Sequence, residues 1–76
     1  MSRLKCTYGE FIAIITEFGF AEHRHGATSH VRYRGVVNGE VKFVDCCGHS
    51  GSDDIPIGTL QSMIRQSGLS KNLFRK

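Results

Sequence analysis

The spacing of apolar residues changes character once along this chain, from helical to alternating, and then returns to helical. Phe11, Ile12, Ile15 and Phe18 recur at intervals of one, three and three residues, which places them on one face of a helix. Ala13 and Ile14 widen that stripe, so much of the helix is expected to be covered. Thr7 with Glu10 three residues later reads as a capping box, and Gly19 supplies a residue suited to the left-handed turn that ends a helix. From Phe20 to Cys46 the period becomes two, and Asn38-Gly39 between two such runs signals a tight hairpin. Strands are expected at 20–25, 29–36 and 40–46. In the second, Val31 and Tyr33 point one way and His30, Arg32 and Arg34 the other; Val41 and Phe43 of the third are expected to join the apolar side. Residues 48–56 carry turn formers and two acids. Ile57, Leu60 and Ile64, with Met63 beside them, mark a second helix beginning near Gly58 or Thr59 and closed by Gly68, and Ser70 caps a short turn through Phe74.

Two helices flanking three strands need a shared core, and composition permits one. Leu, Ile, Val and Phe make up 20 of 76 residues, enough to fold but only as a single domain spanning residues 1–76. That length excludes a catalytic domain joined to a regulatory one. A net charge of +3 allows an anionic partner, while the absence of Trp and an aromatic content of 9% place any nucleic-acid contact on Arg, Lys and His before stacking. There is no membrane-length apolar run and the first residues lack a signal-peptide core, so the expected compartment is the cytoplasm. Cys6, Cys46 and Cys47 are odd in number and two are adjacent, which suits reduced thiols rather than disulfides. No C-x-x-C or H-x-x-x-H spacing accompanies them, so neither a metal nor a cofactor is expected.

The candidate chemistry lies between His23 and Arg34, a stretch that holds His23, Arg24, His25, His30, Arg32 and Arg34 and no acid. Strands commonly expose basic residues for solubility, and that is the plain alternative. On one strand face, however, an imidazole beside two guanidiniums joins a group that moves protons to groups that hold phosphate. This pairing suits RNA cleavage without a metal. A base removes the ribose 2′-hydroxyl proton, that oxygen attacks the adjacent phosphorus, and the 5′-oxygen leaves with a proton from an acid. Histidine serves in either role because its unperturbed pKa lies near 6.5.

Three segments then carry a family resemblance: EFGF at Glu17–Phe20, SHVRYR at Ser29–Arg34 and GTLQSMIRQSGLS at Gly58–Ser70. From about Tyr8 to Phe74 the chain resembles HicA-type toxins, mRNA interferases of type II toxin-antitoxin systems. The resemblance implies an α+β, double-stranded-RNA-binding-domain-like α-β-β-β-α fold, a three-stranded antiparallel sheet with two helices packed on one face. It implies that His30 is catalytic, with His49 as the second histidine such toxins often carry before the closing helix. Ser29, Arg32, Arg34 and Arg24 become the candidate RNA-binding residues. Asp53 and Asp54 stand where the family commonly has lysines. The implied partners are mRNA and a HicB-type antitoxin covering the His30 face, the toxin being a monomer when free. A non-catalytic RNA-binding module of the same fold is the competing reading, and a purely protein-binding domain is a third.

Overall fold

The structure, a computed structural model, describes residues 3–25, 30–47 and 51–75. Its order is helix α1 (Tyr8–Glu17), strands β1 (Ala21–His25), β2 (His30–Val37) and β3 (Glu40–Cys47), helix α2 (Ile57–Ser67) and a short 3-10 turn, Lys71–Phe74. The strands form one antiparallel sheet in the order β1-β2-β3, giving the expected α+β, double-stranded-RNA-binding-domain-like arrangement.

Local chemistry accounts for the ends of these elements. The Thr7 hydroxyl accepts from the Glu10 amide at 3.1 Å, and the Glu10 carboxylate accepts from the Thr7 amide at 2.9 Å, so two amides that the helix leaves unpaired are satisfied reciprocally. The β2–β3 hairpin turns through Asn38 and Gly39, both left-handed at φ 52° and 80°, as a two-residue primed turn requires. That turn sets the register from Val37 opposite Glu40 to His30 opposite Cys47. The Ser70 hydroxyl accepts from the Asn72 amide at 3.2 Å and starts the final turn.

The core joins Tyr8, Phe11 and Ile15 of α1 to Phe20, Val44 and Cys46 of the sheet region and to Leu60, Met63 and Ile64 of α2. The Phe11 and Phe74 rings stack at 4.9 Å and fasten the C-terminal turn to α1. Phe20 lies against Gly35, where a Cβ would come within 2.6 Å of the ring, so this strand position has no room for a side chain. Cys6 and Cys46 are buried thiols that form no disulfide with each other.

Four apolar positions fall on the other side from the one expected. Phe18 is 46% exposed, because α1 stops at Glu17 and the turn at Gly19 delivers Phe20 into the core instead. Val41 and Phe43 do not join Val31 and Tyr33. In antiparallel pairs, residues directly opposite share a face, and Tyr33 faces Val44 while Arg34 faces Phe43 and Val36 faces Val41. Val44 is therefore buried, and Val41 and Phe43 stand on the open face with the arginines. Ile57, counted on the apolar stripe of α2, is 55% exposed at that helix's first turn.

The alternation of β1 also breaks. The register shifts between Glu22 and Arg24, so that Arg24 rather than His23 takes the position opposite Arg32. A further feature has no periodic signal. The segment before α1 runs between residues 51–55 and the C-terminus, with Ile55 donating its amide to the Cys6 carbonyl at 2.9 Å and Lys5 to that of Phe74 at 3.2 Å.

Candidate nucleic-acid interface

One face of the sheet carries the helices and the other is open. The backbone register lines up Arg24, Arg32 and Asp45 in one row and Ala21, Arg34 and Phe43 in the next, and of these Arg32, Arg34, Phe43 and Asp45 stand exposed on the open face. His30 opens β2, two residues before Arg32 and opposite Cys47. His30, Arg32 and Arg34 thus stand at alternate positions of one strand, while Arg24 is the register partner of Arg32 on β1. Ser29 and His49 lie outside the described residues.

Arg32 is held at both ends of its charge. Its Nε donates to Asp45 Oδ1 at 2.8 Å, a second nitrogen reaches Oδ2 at 3.5 Å, and its guanidinium carbon sits 5.6 Å from the centre of the Phe43 ring. The hydrogen bond and charge of Asp45 raise the Arg32 pKa above its ordinary value, and the cation is retained in any case. Asp45 is in turn anchored, its amide donating to Gln66 Oε1 of α2 at 3.1 Å. Gln66 therefore occupies a backbone donor on the free side of edge strand β3. The His23 ring lies 5.4 Å from Phe43, tilted by 56°. Phe43, 41% exposed, is the aromatic centre of the face, touched by an imidazole and a guanidinium.

This changes the weight of the two arginines. Asp45 engages part of the Arg32 fork and cancels its charge locally, whereas Arg34 is exposed and makes no ion pair among the described residues. Behind the face, burial first, and then Cys46 and Glu22, push the Tyr33 hydroxyl above its ordinary pKa. Among the described residues no three His, Cys, Asp or Glu side chains gather as metal ligands do. No helix among them is long and apolar enough to cross a membrane.

Phe43 and Asp45 were not expected here, yet the hairpin signal contained them. A two-residue Asn38-Gly39 loop makes 37 face 40, and counting outward puts 43 opposite 34 and 45 opposite 32.

Comparison with known proteins adds the decisive observation: residues 8–69 match the family described as HicA toxin of bacterial toxin-antitoxin. The chain belongs to the HicA toxin family. The matched span runs from the first residue of α1 to the residue after the Gly68 cap of α2, so it takes in all three strands and the whole open face. No curated protein and no solved structure matches the chain. As a HicA-family member, the protein is a toxin of a toxin-antitoxin pair.

Proposed function

We propose that this toxin is an endoribonuclease that cleaves mRNA by metal-independent general acid/base catalysis through His30. The reading rests on family membership together with one strand that presents His30, Arg32 and Arg34 at alternate positions. His30 transfers a proton to or from the reacting ribose or leaving oxygen, with His49 as the candidate partner for the other transfer. Arg34 and the remaining donors of Arg32 hold the phosphate, with Arg24 and Ser29 assigned beside them, and positive charge aimed at the phosphorane favours the transition state. Phe43 offers a neighbouring base a ring on which to stack. The toxin acts in the cytoplasm as a single domain, and a HicB-type antitoxin neutralises it by covering the His30 face.

The test is chemical. Single-stranded RNA incubated with the protein in EDTA is expected to yield fragments ending in a 2′,3′-cyclic phosphate and beginning with a 5′-hydroxyl. A single 2′-deoxy sugar at the cut is expected to block that cut, because DNA lacks the internal nucleophile. An unchanged rate at the deoxy site would overturn the mechanism, and binding without cleavage would leave an RNA-binding module.

The Arg32–Asp45 pair makes a second expectation. Asp45→Asn removes the carboxylate that competes with phosphate, so RNA affinity should tighten by no more than about fivefold, because an exposed pair screened by solvent holds its partners only weakly. Titration of an uncleavable RNA by fluorescence anisotropy measures it; weaker binding would mean that Asp45 serves chiefly to orient Arg32 toward the ligand.

A further inference from the structure

The helical side of the molecule, away from the open sheet face, carries a groove that the catalytic reading does not use. It has a volume of about 690 Å³ and lies between the extended segment at Arg3 and Lys5, the first turns of α2, and the C-terminal turn at Lys71 and Arg75. A second depression of about 350 Å³ is bounded by the same Gln61 and Lys71 and continues past Arg65. Five exposed cations, Arg3, Lys5, Arg65, Lys71 and Arg75, line the two, half of the ten in the chain, and Asp54 is the one acid among the lining residues.

These charges are set on a fixed frame. Leu4 bridges Arg75, Lys5 donates its amide to Phe74, and Leu4 and Cys6 turn inward onto the core. Alternation along that extended segment leaves Arg3 and Lys5 together on the outer side. Arg3, Lys5, Arg65 and Lys71 make no ion pair among the described residues. The groove also accounts for an otherwise unexplained exposure, since Ile57 and Ile55 contribute its apolar part.

We propose that this groove is a second nucleic-acid site, binding the phosphodiester backbone of an RNA strand outside the catalytic face. A single small anion would engage one or two of these cations. Five of them spread along two joined depressions, with an apolar wall for sugar and base, suit a strand carrying one charge per nucleotide. Naming the polyanion as RNA rests on the ribonuclease reading; the groove and its charge do not.

The test uses a uniformly 2′-O-methylated oligonucleotide, longer than the roughly 4–16 nucleotides of common single-strand sites, which no internal nucleophile can cut. Binding is followed by fluorescence anisotropy across a salt series. Lys5→Gln/Lys71→Gln is expected to weaken binding on the order of tenfold at low salt and to reduce the salt slope by about 1.4, the loss of two phosphate contacts. Arg3→Gln/Arg65→Gln provides an independent pair at the groove's other parts, and circular-dichroism melting confirms that each variant folds. If both folded variants keep their affinity within about twofold and their salt slope, the proposal is overturned. It is equally overturned if oligoglutamate of matched charge binds the parent as tightly and loses as much in the variants, since the occupant would then be an acidic peptide. The probe cannot be cleaved, so a parent protein that binds it through the groove yet never cuts RNA overturns the ribonuclease reading alone.

Discussion

His30→Ala is expected to lower the rate of RNA cleavage by about 10²- to 10⁴-fold while leaving the fold intact, the range over which one positioned proton-transfer group acts. The expectation follows from the paucity of other equipment. At the candidate site the described side chains are guanidiniums, an aromatic ring, one carboxylate already bonded to Arg32, and the His23 imidazole tilted against Phe43. Guanidiniums stay protonated, so they stabilise charge and orient phosphate but do not exchange protons with the ribose. Removing the His30 imidazole therefore removes a step, whereas removing an arginine weakens binding and transition-state stabilisation. The measurement is single-turnover cleavage of a labelled RNA by parent and variant, paired with binding of the uncleavable analogue. Loss of cleavage with retained binding is the expected result. Parental cleavage by the alanine variant would move the chemistry to another residue.

The second large effect concerns the fold. Phe74→Ala is expected to destabilise the protein by about 3–5 kcal/mol, the usual cost of deleting a buried phenyl ring. Phe74 is 1% exposed, stacks on Phe11 and sits on the strand-like connection that joins the two ends of the chain. A domain of 76 residues has only about 4–11 kcal/mol in hand, so the variant should be near or past its threshold at physiological temperature. Each kcal/mol is worth about 4–8 °C in a domain of this size, so Tm should fall by more than about 12 °C. Phe18→Ala is the internal comparison. It removes the same ring from a half-exposed cap position and should cost about 0.5 kcal/mol or less. Urea or thermal melts followed by circular dichroism separate the two, and equal losses would mean that Phe18 is held by contacts its exposure does not suggest.

The contrast between those two phenylalanines shows where sequence reading stops. Capping at Thr7 and Glu10, the Asn38-Gly39 turn and the Ser70 cap are contacts within a few residues, so the residues that make them are visible together in the sequence. Helix and strand periods followed for the same reason. The faces were harder. Phe18 fits the apolar spacing of α1 as well as Ile15 does, but a helix that ends at Glu17 cannot bury it. Val41 and Phe43 look like core residues by type, and only the count outward from the turn puts them with Arg32 and Arg34. That count was available in the sequence, because a two-residue loop leaves a single register. The break at Glu22–Arg24 was not, since an extra strand residue leaves no mark in composition or spacing.

The sequence by itself determined the order of elements, the hairpin, and the alternation that sets His30, Arg32 and Arg34 along one strand, because each is written within a window of a few residues. Tertiary structure alone decided the rest. Asp45 reaches Arg32 across thirteen positions, Gln66 fixes Asp45 from a helix twenty-one positions away, and Arg3, Lys5, Lys71 and Arg75 meet only because the chain's two ends pair. A net charge of +3 is legible from composition, but its division into a face partly neutralised by Asp45 and a groove of five cations depends on folding. Charge acts through distance, and distance between remote residues is what the packed core sets.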